Sequence, residues 1–180
     1  MNSKALVAGA ILIAAMAGRG AEESHEDGTF ESVGFHYGRG ADRLSEHFQE
    51  FEALTDFNLP FKFDLGKGWE LKTRMGFSLG SFGNNHVTAV MGSVGPEFSV
   101  GPSSLPLAFE GGFAPTGLSE RDFDTRSIGS LLQFRSSIGL AWTIENHVRL
   151  GYRFQHMSNG GFASHNQGVN MHTLNLSYCF

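Results

Sequence analysis

Apolar and polar residues alternate along most of this chain with a period of two, the period at which strand side chains change face. Phe51, Ala53, Thr55, Phe57 and Leu59 fall on one side of their segment, and Glu50, Glu52 and Asp56 on the other. Trp69, Leu71, Thr73, Met75, Phe77 and Leu79 oppose Glu70, Lys72 and Arg74 in the same way. Leu107, Phe109 and Phe113 oppose Glu110; Leu132, Phe134, Ile138, Leu140 and Trp142 oppose Gln133 and Arg135; Leu150, Tyr152 and Phe154 oppose Arg149 and Arg153. The pattern predicts eight strands at about 30–38, 48–59, 68–80, 87–100, 106–115, 128–144, 146–158 and 170–180. The connections near 60–67, 101–105 and 144–146 are short or turn-like. Those at 39–47, 81–86, 116–127 and 159–169 are mostly longer and rich in Gly, Asn, Asp and Arg.

Eight strands of this kind predict an all-β fold, an eight-stranded antiparallel barrel. A soluble barrel of this size turns its apolar face inward, whereas a transmembrane barrel turns it toward lipid and keeps a polar lumen. Parity alone does not separate the two. The ending does, because Leu174, Leu176, Tyr178 and the terminal Phe180 resemble the C-terminal signal that outer-membrane barrels present to the barrel assembly machinery. Alternating loop lengths fit the same reading, with the longer set outside the cell.

The start of the chain supports export. Lys4, an apolar run from Ala5 to Ala17 and the small-x-small site Ala15-Met16-Ala17 read as a cleaved signal peptide at 1–17, leaving one domain at 18–180. With Lys4 gone, the remaining members of the 13 Lys+Arg stand against 18 Asp+Glu, a balance that disfavours a nucleic-acid partner. Cys179 is the one cysteine, so no intrachain disulfide can form. The 17 Phe residues are scattered, as aromatic girdles require, and Trp69 and Trp142 read as interface anchors.

Candidate chemistry lies near the C-terminus. His156 and Ser158 share the apolar parity of Leu150, Tyr152 and Phe154, so both side chains point to the greasy face at the outer end of the seventh strand. A serine hydroxyl becomes a nucleophile when a base takes its proton, and a third group usually holds that base. Asn170 and His172 return on the next strand with the same parity and are the two candidates to orient His156. Asn166 and the backbone N–H groups of Asn159, Gly160 and Gly161 are candidates to hold an oxyanion.

In His156-x-Ser158-Asn159-x-Gly161 followed by Asn166-x-Gly168-Val169, the chain resembles the lipid A 3-O-deacylase (PagL-type) family of Gram-negative outer membranes. That resemblance implies an eight-stranded outer-membrane barrel that hydrolyses the 3-O-linked acyl chain of lipid A without a cofactor. It also implies an exterior Ser-His-Glu triad with Ser158 as nucleophile and His156 as base. The family's Glu falls on Asn170 in an ungapped alignment. An amide oxygen can fix the tautomer of His156 but carries no full charge to support an imidazolium. Expected partners are lipid A or lipopolysaccharide, outer-membrane lipids and the assembly machinery, with a homodimer left open. The competing readings are a structural or adhesive barrel, and an acyltransferase, which would need an interior acyl pocket. His25, His36, His47, His86, His147 and His165 have no metal-ligand spacing and read as loop or lumen residues. Arg39, Arg43, Arg121 and Arg126 read as loop charges able to meet phosphates.

Overall fold

The computed structural model describes residues 30–43, 45, 47–124, 126–163 and 165–180. The segment read as a signal peptide, and His25, lie outside these. The strands are β1 (Phe30–Gly40), β2 (Gln49–Gly66), β3 (Trp69–Gly83), β4 (Thr88–Pro102), β5 (Leu107–Leu118), β6 (Asp122–Phe123), β7 (Arg126–Ser127), β8 (Leu132–Ile144), β9 (Val148–Ser158) and β10 (Val169–Cys179). Eight of them close a barrel in the order β1-β10-β9-β8-β5-β4-β3-β2, antiparallel throughout, while β6 and β7 form a small hairpin within one long connection. Closure is made by β1 on β10, in a register running from Ser32↔Cys179 to Gly40↔Met171. The barrel sheet is thus closed on itself with no open edge, the condition for strands to cross a bilayer.

Two boundaries differ most from the sequence expectation. Pro60 suggested that the second strand ended at 59, but it sits in a bulge between Asn58 and Lys62, where a missing N–H is tolerated. The ladder resumes with Lys62↔Lys72 and Phe63↔Leu71. The turn is thereby confined to the tip, where Lys67 and Gly68 take φ of 53° and 77°. The sixth barrel strand starts at Leu132 and not at 128, because Ile128 turns inward to a buried apolar cluster.

The expected faces are observed. Outside, Leu79, Phe109, Ile138, Trp142 and Leu174 are exposed, an apolar area far larger than a water-soluble monomer carries. Inside, the lumen is a charge network. Arg153 donates to both carboxylate oxygens of Glu97 at 3.0 and 2.8 Å and to Glu110 at 2.8 Å. Arg74 reaches Glu110 at 2.8 Å, and Arg135 pairs with Glu52 and the hydroxyls of Ser78 and Ser93. His36, Glu50 and Glu52 also meet here, drawn from two strands that the spacing of histidines along the chain did not connect. The His36 ring nitrogen lies 2.5 Å from Glu50, and Gln155 donates to both Glu50 oxygens.

Toward the long loops the lumen changes character. Phe48, Phe82, Met91, Phe123, Met157 and Met171 form a buried apolar plug, with Phe48 stacked on Phe82 at 4.9 Å. The plug seals the barrel beneath the loops and gives the loop end a firm floor.

Candidate active site

The alternation of β9 sends Arg153, Gln155 and Met157 inward and Phe154, His156 and Ser158 outward, at the end of the strand nearest the long connections. Across β10, the register sets Asn170 directly opposite His156 and His172 opposite Phe154. Asn170 is therefore the residue in reach. His156 Nδ1 and Asn170 Oδ1 are 2.7 Å apart, a hydrogen bond in which the imidazole N–H donates to the amide oxygen. With Nδ1 protonated, Nε2 carries the lone pair, and it is the ring nitrogen left to serve Ser158.

His172 does not share that task. Its Nδ1 lies 2.7 Å from the Tyr152 hydroxyl, and its ring stacks on Tyr152 with centroids 5.9 Å apart. The reason is register: two residues along β10 moves a side chain one full repeat away from His156.

The loop after β9 is built around Asn159, which is fully buried. Its Nδ2 donates to the carbonyls of Ile128 and His165 at 3.1 and 2.6 Å, and its Oδ1 accepts the N–H of Gly161 at 2.9 Å. The backbone N–H of Asn159 donates to Asn166 Oδ1 at 3.1 Å. Two N–H groups offered by the sequence as oxyanion donors, those of Asn159 and Gly161, are thus already engaged. The Asn166 amide, oriented by its own acceptor oxygen, and the Gly160 N–H are the candidates that keep a donor to offer. Gly160 and Gly161 hold φ of 65° and 83°, a left-handed pair that explains both glycines.

Sequence reasoning missed how the first long loop folds over the site. The N–H of Ala41 donates to the Asn170 carbonyl at 2.8 Å, and the Asn170 N–H donates to Ser45 Oγ at 3.1 Å. Asn170 Nδ2 donates to Asp42 Oδ2 at 2.7 Å, while Asp42 Oδ1 accepts the Ser45 N–H at 2.9 Å. A second support comes from β7, where Arg126 donates to the Gly168 carbonyl at 2.6 Å and lies over the Phe48 ring at 5.3 Å. Burial lowers the pKa of Arg126, and the Asp42 carboxylate opposes that shift. Gly168 itself backs the imidazole: a Cβ there would fall 2.6 Å from His156 Cε1. The motif contains Gly168, but contact with His156 is visible only in three dimensions.

Apolar surface flanks the polar pair. Phe134 faces Ser158 across β8 and lies 5.7 Å from Phe162, which projects from the loop. Further down the same wall, Tyr37, Leu140, Leu150, Tyr152, Leu174 and Leu176 line an open apolar groove of about 530 Å³. A hydroxyl, an imidazole with a fixed tautomer and a greasy approach suit attack on an ester whose acyl part is a hydrocarbon chain.

Comparison with known proteins bears on the fold and the family. A curated lipid A deacylase PagL of Bordetella bronchiseptica is 35% identical over 71 residues, covering 39% of this chain and 40% of that protein. The chain thus matches less than half the length of that relative. The crystal structure of the outer membrane enzyme PagL superposes with a TM-score of 0.70 at 18% identity, covering 81% of this chain and 97% of the other, a likeness of fold. The model of the family described as lipid A 3-O-deacylase (PagL) matches residues 50–179, the greater part of the barrel and all of the β9–β10 site, and the chain belongs to that family.

Proposed function

We propose that this chain is an outer-membrane esterase that hydrolyses the 3-O-linked acyl chain of lipid A by a serine nucleophile. The observation that carries the reading is the 2.7 Å His156–Asn170 hydrogen bond on the lipid-facing wall, with Ser158 two residues further along the same face. Polar groups directed at lipid are costly unless they have work to do.

In this reading His156 Nε2 takes the Ser158 proton as Oγ attacks the ester carbonyl. The carbonyl oxygen becomes an oxyanion and is held by Asn166 and the Gly160 N–H. As the tetrahedral species collapses, the carbon–oxygen bond to the sugar breaks, and the imidazolium gives its proton to the departing 3-oxygen. Water, deprotonated by His156, then attacks the Ser158 ester, releasing the fatty acid and restoring the hydroxyl. The phenylalanine shelf and the outer-wall groove receive the hydrocarbon chain, which need not leave the bilayer. The chemistry uses no cofactor.

A lumenal acyl pocket, of the kind a transferase would use, has no room at mid-barrel. The cavity between Asp56, Glu97, Arg135 and Gln155 is about 40 Å³, water-sized, and is walled by charges. Mass spectrometry of lipid A from cells producing the protein tests the proposal. Loss of one 3-hydroxyacyl chain is the expected result. A gain in mass would mean transfer, and unchanged lipid A with a well-assembled barrel would mean a structural or adhesive role. Ser158→Ala and His156→Ala should each abolish the loss.

A further inference from the structure

We propose that Asp42 is a positioning residue for the hydrolysis, acting through Asn170 and supplying at one remove the carboxylate charge that Asn170 lacks. The inference rests on the serine-esterase reading and adds to it a residue from the first long loop. Asp42 lies ahead of residue 50, where the family match begins, so the assignment stands on geometry alone.

Two hydrogen bonds run in series behind the imidazole, His156 Nδ1 to Asn170 Oδ1 at 2.7 Å and Asn170 Nδ2 to Asp42 Oδ2 at 2.7 Å, and Ser158 follows His156 by two residues on the same face of β9. A primary amide has a donor end and an acceptor end, and nothing in its shape decides which faces the histidine. Asp42 decides it. A carboxylate only accepts, so it draws the NH₂ end to itself and turns the oxygen toward His156. With the amide reversed, two acceptors would face each other at the Asp42 end, and Nδ1 would have to become an acceptor. Nε2 would then hold the proton, which is the wrong tautomer for taking one from Ser158. The carboxylate also polarises the amide, raising negative charge on Oδ1 where the imidazolium develops.

The loop is fastened in the way such a task requires. Ala41 N–H and Ser45 Oγ bond the backbone carbonyl and N–H of Asn170, and Asp42 bonds its side-chain Nδ2, so the loop is tied to the Asn170 backbone at two points and to its side chain at one. The titratable and charged groups around His156 are few. Asp42 stands behind Asn170 from the first loop, Arg126 stands behind Gly168 from β7, the Tyr152–His172 pair lies one repeat along from β9 and β10, and the outward Arg39 of β1 is opposite His172 in the ladder. Opposite on β8 is the uncharged Ser136. Removing the Asp42 charge leaves the cationic Arg126 and Arg39 without that counter-charge beside the site, which disfavours a developing imidazolium. The sign is therefore weaker general-base assistance in the attack on the ester.

The test uses full-length protein folded in detergent with lipid A as substrate, its activity normalised to the fraction that migrates as closed barrel on unboiled gels. Asp42→Asn keeps the shape and removes the charge. The expected result is a drop in kcat of about tenfold, KM within about twofold, and an acid limb of the pH–rate profile moved to lower pH by about half a unit or more. A loop anchor alone would change the folded fraction and leave the acid limb in place. The Asn170→Glu background supplies a second, independent measurement. There a carboxylate meets His156 directly and crowds Asp42, so adding Asp42→Asn should raise activity where in the parent it lowers it. The proposal is overturned if Asp42→Asn leaves kcat and the acid limb unchanged, or if the substitution acts with the same sign and size in both backgrounds. Full activity in a folded Ser158→Ala protein would instead remove the serine mechanism beneath it, an outcome distinguishable from failure of the Asp42 proposal alone.

Discussion

The two faces of β9 are made from alternate residues of one strand, yet they obey different rules. Inward, Arg153 is tied to Glu97 and Glu110, Gln155 to Glu50, and Met157 is buried in the apolar plug. Folding accounts for each of them, because a charge enclosed in a narrow lumen must be paired and an apolar side chain must be packed. Outward, Tyr152 and Phe154 meet lipid as expected, but the polar side chains of His156 and Ser158 are neither paired charges nor packed apolar groups, so burial does not account for them. The difference separates polar residues that hold the fold from polar residues that the fold holds up for use.

Substitutions on the outward face should leave the barrel intact and remove the chemistry, which is the largest effect expected here. Ser158→Ala and His156→Ala should each reduce deacylation by about 10³-fold or more, and the double variant should be little worse than either, since the two groups act as a unit. Unboiled gels and thermal unfolding should match the parent. A folded variant with substantial activity would show that the two faces are not divided as described.

Inward substitutions should do the reverse. Arg135→Met strands Glu52, which is fully buried and retains only Ser78 and a distant His36 beside it. An uncompensated buried charge costs roughly 3–5 kcal/mol, so less barrel should assemble and it should unfold at lower denaturant concentration. The molecules that do assemble should keep near-parental kcat, because the hydrogen bonds of Arg135 go to Glu52, Ser78 and Ser93 and not to residues of the site. Loss of kcat in correctly assembled Arg135→Met would couple the two faces and break the comparison.

The division also explains what could be read along the chain. Parity assigns in and out for most barrel strands because its period of two survives any local irregularity that adds no residue. That is enough to put Glu52 inside and His156 outside. Strand ends are less legible: Pro60 looks like a stop and is a bulge, and Ile128 looks like strand and is the edge of the plug. Asn170 was reachable because register between neighbouring strands follows from parity and a short list of offsets. Asp42 was not, since it comes from a loop more than a hundred residues earlier and no local pattern marks a loop aspartate that will meet an amide on β10. The loop after β9 was legible only in part for the same reason: Asn166 could be picked out as a candidate, but its bond to the Asn159 N–H depends on how the loop folds back.

Smaller effects sharpen the outward face itself. Gly168→Ala places a methyl 2.6 Å from His156 Cε1 and 3.1 Å from Nε2 in the unrelaxed structure, closer than such atoms can approach. The ring is fastened at Nδ1 to Asn170 and the strand end is fastened by Arg126 to the Gly168 carbonyl, so relief must come from turning the imidazole. A displacement of under 1 Å at a general base is enough for a drop in kcat of about 10- to 100-fold. Because the site is at the barrel wall and not in the plug, unfolding should change by less than about 1 kcal/mol.

His172→Ala carries the smallest expected effect and distinguishes between the two residues of β10 that share the outward face. His172 is bonded to Tyr152 and stacked on it, one repeat away from His156, so its loss should remove a patch of aromatic packing and leave the imidazole–amide bond untouched. The expected change in kcat is under about twofold, with an unmoved acid limb, since no charged group next to His156 is altered. A severe loss in folded His172→Ala, together with a mild one in Asn170→Ala, would transfer the orienting role to His172. The direct opposition of Asn170 and His156 in the ladder would then describe a resting arrangement, with the imidazole swinging to its other neighbour when lipid is bound.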